Sequence, residues 1–142
     1  MSTRLLILLL IGSLSLGACK KDDIVVADLT TNPFDVDYDG APIFTVVSSS
    51  TGFVTINSVL VRQLTVTVQV HTELFGRPTT YLVRQVPLFD GTSGQTTPTA
   101  NTGDRFDIIT NNVLPGAEYC WQLNVGNGGN YGGGNPVCAT AD

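Results

Sequence analysis

The sequence has few of the residues that triad catalysis and nucleic-acid binding use. It contains one histidine, so any histidine-based triad would have to include His71. Seven Lys and Arg residues stand against twelve Asp and Glu, and the basic residues form no cluster. A phosphate backbone is held by clustered positive charge, so nucleic-acid binding is disfavoured.

The chain also lacks a long apolar run. Residues 5–11 are apolar, but Gly12 and Ser13 interrupt the run, whereas a transmembrane helix needs about 20 apolar residues. Arg4 precedes the run and small residues follow it, which is the pattern of a secretory signal. The sequence therefore predicts that residues 1–18 are a signal peptide that is removed.

The end of this segment reads Leu16, Gly17, Ala18 and Cys19, and it resembles the lipobox of bacterial lipoprotein signal peptides at all four positions. The resemblance implies that the thiol of Cys19 receives diacylglycerol and that cleavage occurs just before it. Two or three acyl chains anchor a protein stably to a membrane. The alternative is an ordinary signal peptide with a chance cysteine.

After the cysteine come Lys20, Lys21, Asp22 and Asp23. This tetrapeptide resembles the surface-export signal of outer-membrane lipoproteins in some Gram-negative groups, and it implies an outer membrane location facing the cell surface. The periplasmic leaflet is the alternative, because any hydrophilic tether would look similar. Residues 19–42 are then a lipidated acidic tether, and residues 43–142 have the length of one domain.

With Cys19 lipidated, Cys120 and Cys138 are the remaining pair in an exported chain. An oxidising compartment makes a disulfide the default, and two thiols with one distant histidine fall short of four zinc ligands. If residues 126–135 connect a β-hairpin, the two cysteines lie opposite each other, and their bridge faces away from the core.

The domain is predicted to be all-β, because no segment shows the 3.6-residue period of a helix. Leu64, Val66, Val68 and Val70 alternate with polar residues, as in a strand with one buried face. Residues 76–78 are predicted to connect a hairpin, and residues 90–103 to form a mobile surface loop. The predicted strands are residues 43–47, 53–61, 64–75, 81–89, 105–110, 119–125 and 136–140.

Residues 106–119 contain Leu114, Pro115, Gly116 and then Tyr119, and they resemble the E-to-F corner of fibronectin type III domains. The resemblance implies a fibronectin type III-like (immunoglobulin-like) antiparallel β-sandwich. It also implies that Tyr119 forms a tyrosine corner, with its hydroxyl bonded to the preceding turn and its ring in the core. The family's early-strand tryptophan is absent, so other immunoglobulin-like sandwiches remain alternatives.

Asp35, Asp37, Asp39 and Gly40 match the first half of an EF-hand-like calcium loop, in which alternate carboxylates face one ion. The twelfth position, where a bidentate glutamate belongs, is Val46. Two interpretations stay open: a calcium site at Asp35, Asp37 and Asp39, or an acidic tether near the membrane.

The glycine-rich residues 126–135 are predicted to be a hairpin loop. No lysine follows them, so a phosphate-binding loop is not indicated. Asn127, Asn130 and Tyr131 have the composition of an adaptable paratope, and a plain connection is the alternative.

Together these features predict a non-enzymatic, membrane-anchored surface lipoprotein that binds a protein or glycan partner through residues 90–103 and 126–135. One alternative is a structural subunit of a surface filament or outer-membrane complex, assembled from identical or different chains through strand edges. A small hydrolase is a third reading. Against it, Thr72 and Glu73 beside His71 offer no nucleophile with a base at suitable spacing.

Overall fold

A computed structural model of the chain describes residues 30–76, 80–89, 99–101 and 103–142. The predicted signal peptide, Cys19 and most of the predicted loop at residues 90–103 lie outside these ranges. No helix in the described part is long and apolar enough to cross a membrane. The strands are β1 (Phe44–Ile56), β2 (Val59–Val70), β3 (Tyr81–Pro87), β4 (Thr99–Asn101), β5 (Arg105–Asn111), β6 (Glu118–Asn127) and β7 (Asn130–Thr140), and a 3₁₀ turn spans Thr72–Phe75.

The strands form two antiparallel sheets, so the all-β prediction is confirmed. One sheet has the order β1-β2-β5 and the other the order β4-β3-β6-β7. Residues 76–78 were predicted to connect a hairpin between neighbouring strands, which is wrong. Residues 77–78 lie outside the described ranges, but the flanking strands β2 and β3 belong to different sheets, so no hairpin joins these two strands.

The first hairpin also differs from the predicted strands. β1 and β2 pair from Phe44 with Val70 to Ile56 with Val59, and Asn57 and Ser58 make the turn. Both turn residues have positive φ, 48° and 64°, as the two central residues of a type I′ turn require. The predicted strand at residues 53–61 therefore spans a turn, because apolar residues on both sides of it read as one run.

The core lies between the two sheets. Leu64, Val66, Val68 and Val70 each have 0% exposure, while Thr65, Thr67 and Gln69 are only half-buried. The predicted alternation along β2 is therefore confirmed. The second sheet contributes the buried residues Tyr81, Val83, Trp121, Leu123 and Val125.

Residues 30–40, which we call the strap, pack against the outer edge of β7. Pro33 is buried, and its carbonyl accepts a hydrogen bond from the Gly133 N–H at 2.8 Å. The Phe34 ring lies 5.1 Å from the Phe75 ring, centroid to centroid. The sequence suggests a tether as far as residue 42. The structure shows that its second half is docked on the domain.

Tyr81 is a core residue whose ionisation makes the stability of the fold depend on pH. The residue is 2% exposed, and its hydroxyl donates a hydrogen bond to the Gly103 carbonyl. Burial, together with the negative charge of Asp104, raises the pKa of Tyr81 to about 12. An unfolded tyrosine titrates near 10, so the folded state favours the protonated phenol.

We therefore expect the Tyr81 contribution to stability to be complete below about pH 10 and to be lost as the pH rises towards about 12. The melting temperature of the wild type should fall more steeply across this window than that of Tyr81→Phe, which has no phenol at this position. Parallel slopes for the two proteins would contradict the shifted pKa.

Candidate functional site

The β1–β2 hairpin extends beyond the rest of its sheet. β5 pairs with β2 only between Gln63 and Gln69, so residues 53–62 form a two-stranded ribbon, which we call the arm. Its register places Phe53 opposite Arg62 and Ile56 opposite Val59.

The arm is apolar and exposed on both faces. Phe53 and Leu60 are 61% and 65% exposed and lie on the same face of the hairpin as the core residues of β2. Val59 is 59% exposed and lies on the opposite face. The guanidinium carbon of Arg62 lies 5.0 Å from the centroid of the Phe53 ring. Residues 44–61 contain no charged side chain. A contiguous exposed apolar patch marks an interaction surface, because its burial against a partner is favourable.

Strand β1 is also an edge strand, and within the described residues it pairs only with β2. Natural edge strands are commonly protected from additional pairing by charged side chains, proline or bulges. The 13-residue β1 has one register shift, between Val46 and Ser48, and no charged residue. At its start, the Asn135 side chain accepts hydrogen bonds from the Ile43 and Phe44 N–H groups at 3.0 and 2.9 Å.

Tyr131, predicted to lie in a binding loop, belongs to strand β7 instead. β6 ends at Asn127 and β7 begins at Asn130, and these two residues pair across a turn of Gly128 and Gly129. Both glycines have positive φ, 62° and 99°, and this allows a turn of two residues. The prediction of a loop over residues 126–135 is therefore wrong.

The Tyr131 ring lies on the outer face of the four-stranded sheet. The Arg84 guanidinium carbon is 4.6 Å from its centroid, and Arg84 Nη2 donates to Asn124 Oδ1 at 3.2 Å. A guanidinium against an aromatic face is held by cation–π attraction. The sheet thus presents one oriented positive group beside the predicted contact residue Tyr131, whereas Asn127 and Asn130 lie at the hairpin end.

His71 belongs to a hydrogen-bonded group that sequence reasoning missed. Its Nε2 lies 3.1 Å from Thr45 Oγ1, and its Nδ1 lies 2.8 Å from Glu73 Oε1. The pKa of Glu73 is lowered mainly by a hydrogen bond from its own backbone N–H and to a smaller extent by the hydrogen bond from His71. Thr45 is far from His71 in sequence and reaches it only because β1 pairs with β2.

A hydroxyl, an imidazole and a carboxylate in line resemble a nucleophile with its base and orienting group. Here, however, Thr45 is exposed and the Glu73 side chain is 68% exposed. Oxyanion stabilisation depends on donors in a water-excluded site. The group joins β1 to the 3₁₀ turn at the surface and gives no support to an acyl-transfer site.

The predicted calcium ligands do not converge as a set of three. The Asp37 N–H bonds to Asp35 Oδ1 at 3.1 Å, which is a local turn. Among the described residues, the one trio with ligand atoms within 4.8 Å of one another is Glu118, Cys120 and Cys138. Its two sulfurs are joined in a disulfide, so they are not thiolate ligands. Calcium binding at Asp35, Asp37 and Asp39 stays a prediction.

The predicted disulfide is present. Cys120 and Cys138 are direct cross-strand partners in β6 and β7, with a Cα–Cα distance of 4.1 Å. Their neighbours Trp121 and Val137 are buried, so the bridge lies on the outer face. At the start of β6, the Tyr119 hydroxyl accepts a hydrogen bond from the Leu114 N–H at 2.8 Å. Its ring is half-buried, 4.9 Å from the Phe89 ring.

These elements define an all-β domain of two antiparallel sheets with one cross-strand disulfide. No protein-family model, curated protein or solved structure matches the chain.

Proposed function

We propose that the chain is a lipid-anchored, non-catalytic binding module on the outer face of a bacterial outer membrane, and that the arm is its contact surface for a protein partner. The exposed apolar side chains of the arm, whose one charged residue is Arg62 at its base, are the observation that carries the proposal. The lipobox-like sequence ending at Cys19 supports the anchor, and the Lys20 to Asp23 tetrapeptide supports the outward orientation.

For the fold, we propose a fibronectin type III-like sandwich. In immunoglobulin constant domains the sheets hold strands ABED and CFG. Here the short fourth strand β4 pairs with β3 instead of β5. The sheets then correspond to A-B-E and C′-C-F-G, which is the fibronectin type III arrangement. The hydrogen bond between Tyr119 and Leu114 supports the tyrosine corner within it.

A protein partner fits the arm better than a glycan does. Glycan binding usually uses exposed aromatic rings, and Phe53 is the one aromatic residue of the arm, with Arg62 near its face. The arm also has three exposed aliphatic side chains, those of Ile56, Val59 and Leu60. Burying aliphatic side chains against a complementary apolar surface is favourable because it removes them from water. Within the described residues, β1 pairs with no strand other than β2, so its outer edge can also accept a partner strand by β-augmentation.

Photo-crosslinking tests the arm in its own membrane. A photoreactive phenylalanine analogue is placed at Leu60 in the full chain, and a matched control carries it at Leu114, which is equally exposed, at 68%, but outside the arm. We expect a discrete protein adduct from position 60 of intact cells and none from position 114. The adduct should fall at least tenfold when Phe53→Ser and Ile56→Ser remove neighbouring apolar contacts.

Equal adducts from both positions, or an adduct that survives Phe53→Ser with Ile56→Ser, would show that the arm does not bind selectively. A phospholipid adduct in place of a protein adduct would also overturn the assignment of a protein partner. Light-dependent labelling of periplasmic proteins alone would place the domain on the inner leaflet and contradict surface exposure.

One observation favours a second function, that of a structural subunit. β1 is a long edge strand without charge, and such edges pair readily with another strand. In this case the adduct from position 60 would have twice the mass of the chain. Sedimentation of the purified protein would then show a mass that rises with concentration.

A further inference from the structure

The four strands of the second sheet supply one positive group, the Arg84 guanidinium, which lies on the outer face. Strands β3, β4, β6 and β7 together contain two charged residues, Arg84 and Glu118. Glu118 precedes Asn124, the cross-strand neighbour of Arg84, by six residues, or about 20 Å at roughly 3.3 Å per residue. Among the described residues, Arg84 forms no ion pair.

This lack of an ion pair stands out in an acidic protein. Twelve Asp and Glu residues face seven Lys and Arg, so the chain has ample carboxylates to pair with an arginine. Instead, Arg84 is held by neutral groups: the Tyr131 ring at 4.6 Å and the Asn124 side-chain oxygen at 3.2 Å. Its positive charge is therefore positioned but not neutralised within the described part of the chain.

The position has a cost. Arg84 Nε is buried and has no hydrogen-bond partner among the described residues. A buried N–H without an acceptor destabilises a protein, and such groups are uncommon in native proteins. Retaining the guanidinium in this position is consistent with a use for its remaining N–H donors.

The surrounding side chains are amides. Asn124 donates through Nδ2 to the Gly132 carbonyl at 3.2 Å, which fixes the orientation of its amide towards Arg84. Gln122 lies on the same face, two residues away along β6, opposite Val86. A side-chain amide offers both donors and acceptors, as sugar hydroxyls do, while a guanidinium binds a carboxylate through two parallel N–H donors.

We propose that Arg84, with Tyr131, Asn124 and Gln122, forms a binding site for a carboxylate-bearing saccharide on the outer face of the four-stranded sheet. The guanidinium binds the carboxylate through its Nη donors, and the amides bind hydroxyls of the same or the next sugar. The site is separate from the arm, on the other sheet, so it does not depend on a protein partner there.

Oligogalacturonate is a suitable probe because methyl esterification removes the charge and leaves the sugar otherwise unchanged. Full-length protein is titrated with trigalacturonate and with its methyl ester, and binding is followed by the Arg84 Nε–H resonance and the β3 and β6 amides. We expect millimolar or tighter affinity for the acid, at least tenfold weaker affinity for the ester, and loss of binding at high salt.

Arg84→Gln should weaken binding of the acid at least tenfold and abolish the difference between acid and ester. Arg84→Lys keeps the charge but loses the paired donors, so its affinity for the acid should lie between those of the wild type and Arg84→Gln. The matched control is Arg105→Gln on β5, since Arg105 bonds Gln69 on the other sheet, and it should bind as the wild type does. The melting temperature of each variant confirms that it folds.

Equal binding of acid and ester by the wild type would overturn the proposal without any variant. Wild-type affinity in Arg84→Gln would overturn it as well. Hexaglutamate tests an acidic peptide and inorganic sulfate tests a simple anion. If either binds as tightly as trigalacturonate, the site does not recognise a saccharide and the assignment fails.

Discussion

Replacing both Cys120 and Cys138 with alanine should lower the melting temperature by about 10–15 °C. The disulfide closes a loop with a sequence separation of 18 residues, and the chain-entropy model assigns about 3 kcal/mol to a loop of this size. For a domain of this length, 1 kcal/mol shifts the melting temperature by roughly 4 °C or more. The bridge lies outside the core, so no cavity should add to the loss.

A reductant provides the control. Wild type melted with reductant should approach the double variant, and the double variant should melt at the same temperature with and without it. If the double variant has the same melting temperature as oxidised wild type, the β6–β7 pairing already holds this hairpin without the bridge. Neither the arm nor Arg84 touches the disulfide, so crosslinking from position 60 should persist.

The second large effect is expected at Gly132, where the strap meets β7. A Cβ added at this glycine would lie 2.2 Å from the carbonyl carbon of Phe34, and backbone cannot move aside as a flexible side chain can. Gly132→Ala should therefore displace the strap and expose Phe75, which the Phe34 ring covers. Overpacking of this kind typically costs about 1–3 kcal/mol.

Limited proteolysis distinguishes this local effect from a general loss of stability. Cleavage within residues 30–40 should become much faster in Gly132→Ala, while the body of the domain stays resistant. The matched control is Gly52→Ala on β1, since a Cβ there has nothing within 4 Å and its backbone is not in a positive-φ conformation. Equal protection of the strap in wild type and Gly132→Ala would show that the contact with Phe34 is not tight.

Parts of the fold followed from local pattern. The two-residue period along Leu64, Val66, Val68 and Val70 predicted the buried face of β2, and all four are fully buried. The symmetric placement of Cys120 and Cys138 about one glycine-rich turn predicted their pairing, which the register confirms. Both are short-range regularities, so no knowledge of distant contacts was needed.

Other features were missed because their signals are non-local or weak. Asn57 and Ser58 form the β1–β2 turn without the glycine that usually marks one, so residues 53–61 on both sides of the turn look like one strand. The strap looked like an acidic tether because its partner, the glycine run of β7, lies far along the chain. Thr45 approaches His71 only through the β1–β2 pairing.

The sequence by itself determined that the chain is β-structured, which face of β2 is buried and which cysteines pair. These features depend on the alternation of residues along one strand and on spacing within one hairpin, both of which are local. The tertiary structure alone decided that β2 and β3 separate into two sheets, that the arm projects past β5, and that Arg84 meets Tyr131 on one face. Register and sheet order depend on packing across the whole core, and no single segment encodes that packing.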